Sequence, residues 1–104
     1  MKKRKLGTQG LEVPVLGLGC MGMTFAYRVG TADPAECLKV LDRSLELGMN
    51  FWDTAQSYGP FTNEELLAKA LQGRRNKVIV ATKFAWKDGV AGPENLDGSE
   101  KNAR

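Results

Sequence analysis

Histidine is absent from this 104-residue sequence, and that absence removes whole classes of chemistry. Without an imidazole the chain alone builds neither a Ser-His nor a Cys-His nucleophile, and few zinc sites. Cysteine is scarce: Cys20 and Cys37 stand far apart and fit no metal-binding or CxxC spacing. They read as two reduced thiols of a cytosolic protein, with no metal expected. Long apolar runs are missing too. Pro14, Gly17, Gly19 and Gly22 interrupt the one stretch near the start that resembles a secretory core, and nothing approaches a membrane span. Finally, there is no basic face with interleaved aromatics. Lys2, Lys3, Arg4 and Lys5 hold four of the 15 basic side chains, so the remaining 11 meet 12 acidic ones. The net charge of +3 is therefore a solvated terminus, and nucleic-acid binding is not expected.

What is present suits one small globular domain, with 42% hydrophobic residues. Residues 3–6 and 11–14 are short strand-like runs around Gly7-Thr8-Gln9-Gly10, and they read as a hairpin. Val15-Leu16-Gly17-Leu18 reads as a continuous apolar strand covered on both faces, followed by the loop Gly19-Cys20-Met21-Gly22. Gly17 to Gly22 match GxGxxG literally. That motif binds a dinucleotide only when a helix opens within it, whereas residues 23–30 show no helical stripe or cap. The glycines read instead as a strand-end loop that allows close backbone approach.

The first strong helix start is Asp33-Pro34-Ala35-Glu36, a cap followed by proline and a capping-box-like acid. Cys37, Leu38, Leu41 and Leu45 form its apolar stripe to about Leu47, and Gly48 stops it. A second strand is expected from Met49 to Trp52. Thr62-Asn63-Glu64-Glu65 then reads as another capping box, before the stripe Leu66, Leu67, Ala70, Leu71. Arg74 to Lys77 make a polar link, and Val78 to Thr82 a third strand that ends at Lys83. Strands alternating with helices predict parallel pairing by right-handed crossovers, with any ligand site at the C-terminal strand ends.

Gly19, Asp53 and Lys83 all fall at such ends, and Tyr58 lies in the loop beyond the second. A phenol is a poor acid near neutrality, with an ordinary pKa of about 10, but an ammonium in contact stabilises the phenolate. A carboxylate beside that ammonium keeps it charged and fixes its direction. Asp53, Tyr58 and Lys83 together make a tuned proton donor, suited to a carbonyl that is gaining a hydride.

These residues resemble an aldo-keto reductase. Leu6-Gly7-Thr8, Leu16 to Gly22, Phe51-Trp52-Asp53-Thr54-Ala55 with Tyr58-Gly59, Asn63-Glu64, and Ala81-Thr82-Lys83 are similar to that family in order and spacing, over residues 4–86. The Gly-Cys-Met-Gly loop points to a pyridoxal-reductase-like or auxin-induced-like branch. The resemblance implies an α/β fold, part of a (β/α)8 TIM barrel: residues 1–14 as the bottom-closing hairpin, 15–86 as the first strand–helix units, and 87–104 as a polar tail. It also implies NADPH as cofactor and a small carbonyl compound as substrate; no membrane partner and a cytoplasmic location are expected from the apolar pattern and the reduced thiols above. Carried over by position, Tyr58 is the proton donor, Lys83 makes that proton easier to give, and Asp53 pairs with Lys83 and lies near the nicotinamide ribose. Gly19 and Met21 are candidates to line the cofactor or substrate cleft.

The departures from the family pattern shape the functional expectation. The family's tetrad includes a histidine just after its fourth strand, and its phosphate- and adenine-binding segments lie near the last strands; neither is in this sequence. A TIM barrel needs about 250 residues. The chain is thus expected to be the N-terminal fragment of a single aldo-keto reductase domain, inactive alone, with an unpaired edge on its third strand. Two other readings stay open: a non-enzymatic regulatory subunit of the same architecture, and a small open α/β binding module. The sequence sets neither an oligomeric state nor a substrate.

Overall fold

The computed structural model describes residues 1–25 and 32–104 of the chain. The expectation that residues 23–30 hold no regular helix falls largely on 26–30, which lie outside the described residues. Strands β1 (Lys3–Leu6) and β2 (Leu11–Pro14) form an antiparallel hairpin with Leu6 opposite Leu11. Gly7 and Gly10 close its turn at φ of 71° and 85°, a conformation that costs glycine little. Strands β3 (Leu18–Gly19), β4 (Phe51–Asp53) and β5 (Ile79–Ala81) follow as a parallel sheet in that order, linked by helices α1 (Pro34–Glu46) and α2 (Thr62–Leu71). The arrangement is the opening part of a (β/α)8 barrel, and no barrel closes among the described residues. Among those residues, no helix is long and apolar enough to cross a membrane.

The core lies where the two helices cover one face of the sheet. Cys20, Leu41 and Trp52 are fully buried there with Leu67, Ala70, Leu71 and Val78. Burying a leucine such as Leu41 contributes about 1.5–3 kcal/mol. Trp52 adds more area and brings a polar N–H, which would cost about 1–3 kcal/mol if left unpaired. It donates to Ser44 Oγ at 2.9 Å and to the Met49 carbonyl at 3.2 Å. Ser44 in turn donates to the Leu41 carbonyl, so one hydroxyl on α1 seats the tryptophan of β4.

Several local expectations change. The first parallel strand is not residues 15–18 but Leu18–Gly19, because its register sets Leu18 opposite Trp52 and β4 begins only at Phe51. Val15 instead donates to the Lys2 carbonyl and prolongs the hairpin, and Val15 and Leu16 are exposed rather than covered. Gly17 presses against Phe51, where a Cβ would lie 3.2 Å from the ring. At α1, Asp33 caps as expected, accepting from the Ala35 amide at 3.0 Å, but Glu36 pairs with Lys39 rather than completing a box.

Helix α2 starts differently from its sequence signature. Thr62 is already helical, and the cap is Phe61 with φ of 63°. A side-chain cap is unnecessary, since the first amides of the helix donate to loop carbonyls: Phe61 to Gln56, Thr62 to Pro60 and Asn63 to Tyr58. The polar tail is also more ordered than its composition suggests. Trp86 and Leu96 form an isolated antiparallel bridge, Asn102 donates to the Trp86 carbonyl, and a short helix α3 runs from Glu100 to Ala103.

Candidate active site

Parallel pairing carries β4 and β5 to the same rim, where Asp53 lies opposite Ala81. Pairing continues past the strands, as Thr54 donates to the Ala81 carbonyl at 2.8 Å and Gln56 to the Lys83 carbonyl at 3.1 Å. These bonds hold the loop after β4 alongside Lys83. The loop then folds back, so that Tyr58 presents its ring toward the same rim. Its carbonyl accepts from the Asn63 amide at 3.0 Å, the Thr24 hydroxyl at 3.2 Å and the Thr62 hydroxyl at 3.4 Å. Gly59, at φ of 122°, permits the turn; a Cβ there would overlap the Thr62 hydroxyl.

The result is a three-way contact centred on one ammonium. Lys83 Nζ lies 2.7 Å from Asp53 Oδ2, 3.0 Å from the Thr54 carbonyl and 3.2 Å from Tyr58 Oη. Three acceptors thus match the three protons of a charged lysine. An ammonium accepts nothing, so the phenol oxygen is the acceptor in its contact with Lys83, and its own hydrogen is left to point elsewhere. Partial burial pushes the Lys83 pKa down, but the bonds to Asp53 and Tyr58 and their charge outweigh it and hold the value above the ordinary one. The ammonium therefore stays charged through neutral pH. It also sits 5.1 Å from the centre of the tyrosine ring, and Phe25 stacks on that ring with centroids 5.9 Å apart.

The structure thus brings together Asp53, Tyr58 and Lys83, and leaves Asp53 and Lys83 about half exposed on an open rim. Gly19 ends the neighbouring strand opposite Asp53, and the next amide, of Cys20, donates to the Asp53 carbonyl. A Cβ at Gly19 would meet nothing within 4 Å, so the backbone there faces open space. Met21 stands apart from the triad. It opens a short 3-10 turn, and its carbonyl accepts from the Phe25 amide, which ties it to the ring stacked on Tyr58. Cys20 is buried, and burial together with the charge of Asp53 pushes its thiol up to about 12. It is a protonated core group, not a nucleophile.

Sequence reasoning missed Asn63, Thr24 and Thr54. Asn63 is completely buried; its Nδ2 donates to the Cys20 carbonyl and to Thr24 Oγ1, both at 2.8 Å, while its Oδ1 accepts from Thr54 Oγ1 at 2.6 Å. A signal for it existed. Asn63 precedes Leu66, Leu67 and Ala70 on one helical stripe, and a polar residue heading an apolar stripe has to be satisfied inside. A groove of about 500 Å³ between α2 and β5, lined by Leu67, Leu71, Val80 and Thr82 among others, contains none of the triad. It runs along the open flank of β5 and is a gap beside an edge strand, not the site of the chemistry.

Asp53 is the residue best suited to a ribose. Among the described residues its carboxylate has one side-chain partner, Lys83, so a second oxygen is open to accept from a hydroxyl. These features fit the nicotinamide end of a dinucleotide. Among the described residues, no cluster of basic side chains for its phosphates surrounds Gly19, Asp53 and Tyr58.

Comparison with known proteins identifies the family and the fold. The family model for the aldo/keto reductase family matches residues 15–104. An uncharacterized oxidoreductase of Bacillus subtilis strain 168, YqkF, is 44% identical over 94 residues, which cover 88% of this chain and 28% of that protein. A probable aldo-keto reductase 1 of Glycine max is 41% identical over 104 residues, 96% of this chain and 29% of that one. Among solved structures, the holo form of aldo-keto reductase AKR11C1 from Bacillus halodurans matches with a TM-score of 0.81 at 40% identity, covering 99% of this chain and 33% of that chain. The chain thus spans under a third of the length of these curated relatives.

Proposed function

The chain belongs to the aldo/keto reductase family, and from that premise we propose that it is the N-terminal part of a cytoplasmic NADPH-dependent oxidoreductase that reduces small aldehydes or ketones to alcohols. The observation that carries the reading is the single ammonium of Lys83 bonded at once to Asp53 Oδ2 and Tyr58 Oη. NADPH, when bound, supplies the hydride that goes to the carbonyl carbon. Tyr58 gives the phenolic proton to the carbonyl oxygen, completing the alcohol, and the Lys83 ammonium stabilises the phenolate that remains until solvent reprotonates it. Asp53 keeps Lys83 charged and offers its second oxygen to a ribose hydroxyl. Gly19, and Met21 through the loop it anchors, border the cleft. No nucleic acid or membrane enters this reading.

The first 104 residues alone hold only part of such a site and are proposed to be inactive. Carbonyl-dependent oxidation of NADPH by the complete protein tests the reaction. Tyr58→Phe should lower kcat about 100- to 10,000-fold, the range for loss of a general acid, with little change in cofactor affinity. Turnover by Tyr58→Phe at the wild-type rate would remove the tyrosine from the mechanism. Titration calorimetry of the 104-residue chain should show no saturable NADPH binding; binding in the micromolar range would overturn its proposed incompleteness.

A further inference from the structure

The buried amide of Asn63 joins the two halves of the proton donor. On one side it holds Thr24 Oγ1, whose hydroxyl donates to the Tyr58 carbonyl, and the Asn63 amide N–H reaches that same carbonyl. On the other side it accepts from the Thr54 hydroxyl, and the Thr54 carbonyl is one of the three acceptors of Lys83. The orientation of the amide is fixed, because the Cys20 carbonyl has no proton to give and so must face Nδ2. One fully buried side chain therefore connects the carbonyl that anchors Tyr58 with the carbonyl that anchors Lys83. It touches neither reacting group.

We propose that Asn63 is a positioning residue which, through Thr24 and Thr54, sets the contact between Tyr58 Oη and Lys83 Nζ. The proposal rests on the reaction above for its kinetic consequences but not for its structural one. A helix cap would have served α2 with a short side chain, and the start of that helix is already satisfied by loop carbonyls. An asparagine that spends all three of its bonds on the ends of β3 and β4 and on Thr24 is placed for register between loops.

Thr24→Val is the decisive variant, since Thr24 is only partly buried and valine keeps its shape while removing the hydroxyl; Thr24→Ser restores the hydroxyl. In the complete protein, the Tyr58 ring-carbon signal, labelled with 13C at Cζ and assigned by its loss in Tyr58→Phe, is compared at neutral pH with that of Lys83→Met, in which the contact at 3.2 Å is gone. Thr24→Val should move the chemical shift toward the Lys83→Met position, because the phenol oxygen is then held less closely by the ammonium, and Thr24→Ser should return it. A chemical shift unchanged in Thr24→Val, or equally moved in Thr24→Ser, overturns the proposal, and this holds even if no carbonyl is reduced. Where turnover is measurable, Thr24→Val and Asn63→Ala should each lower kcat about tenfold to a hundredfold with the KM for NADPH unchanged. The double variant should be no worse than the weaker single one. Additive losses, or losses confined to KM, would also overturn it. In contrast, a wild-type protein that oxidises no NADPH while the chemical shift moves as described would overturn the reaction and leave the positioning role standing.

Discussion

The hairpin of residues 1–14 and the rim loop of residues 54–61 are both short connections with glycine at positive φ, yet they are held in opposite ways. In the hairpin, Leu6 pairs with Leu11 across a turn around which a Cβ at either glycine would meet no atom within 4 Å, and β1 is exposed throughout. Its shape comes from ladder bonds and turn chemistry between residues close in sequence. The rim loop buries Thr54 and Ala55 and draws its bonds from Thr24, Lys83 and Asn63, residues up to 34 positions away. The lesson concerns where precision is needed. The hairpin should therefore tolerate variation that the loop does not, since the loop places a phenol against an ammonium.

The largest separation between the two should come from glycine substitutions. Gly59→Ala forces a residue at φ of 122° and sets a Cβ 2.9 Å from Thr62 Cβ and 3.1 Å from its backbone nitrogen. We expect a loss of about 3 kcal/mol from the backbone conformation and overpacking combined, measured as a shift in the urea midpoint. A loss under about 1 kcal/mol would mean that the loop relaxes freely and that the comparison is wrong. Next in size is Thr54→Val, which removes the one donor to Asn63 Oδ1 among the described residues, at 2.6 Å, inside the protein. An unsatisfied buried oxygen costs about 1–3 kcal/mol. The matched change in the hairpin turn, Thr8→Val at an exposed position, should stay within about 0.5 kcal/mol.

The same contrast explains what the sequence revealed. Elements governed by neighbours in the chain were legible: the hairpin turn, the Asp33 cap, the stripe of α1 with Cys37 on it, and the parallel order. Asp53, Tyr58 and Lys83 were legible as a group because strand ends in a parallel sheet share a rim. The length of β3 was not, since apolar character alone says nothing of where the partner strand begins. The left-handed cap at Phe61 and the bonds of Asn63 were not either, for they depend on carbonyls supplied from distant loops. Thr62 looked like a cap because caps are usually local; here the loop behind it had already done that work.

Gly10→Ala sharpens the hairpin side. Its φ is 85° with open space around the Cβ, so only backbone strain is added, about 1 kcal/mol, and the ratio of this loss to that of Gly59→Ala measures how much of the loop's intolerance is packing. Such a loss, seen in the urea midpoint, should leave any NADPH oxidation at the wild-type kcat, because among the described residues no hydrogen bond joins the hairpin to Asp53, Tyr58 or Lys83.

The smallest effect is electrostatic and has a definite sign. Lys83 is about half exposed, so solvent screening keeps its ion pair with Asp53 under about 1 kcal/mol. Its pKa is raised in the folded protein above the ordinary 10.5, burial opposing and the bonds to Asp53 and Tyr58 prevailing. The folded state therefore holds this proton more tightly than the unfolded one, and the pair's contribution is complete below 10.5 and lost as pH rises through the folded value. Urea midpoints of the wild type and Lys83→Met should differ by a constant amount across neutral pH and converge as pH rises through the raised folded-state value of Lys83. A difference that stayed constant or grew as pH rose well above 10.5 would overturn this sign. The hairpin places Lys5 opposite Glu12 in its ladder, and Lys5→Met should show a smaller difference at every pH, because both of those side chains stand on an exposed surface.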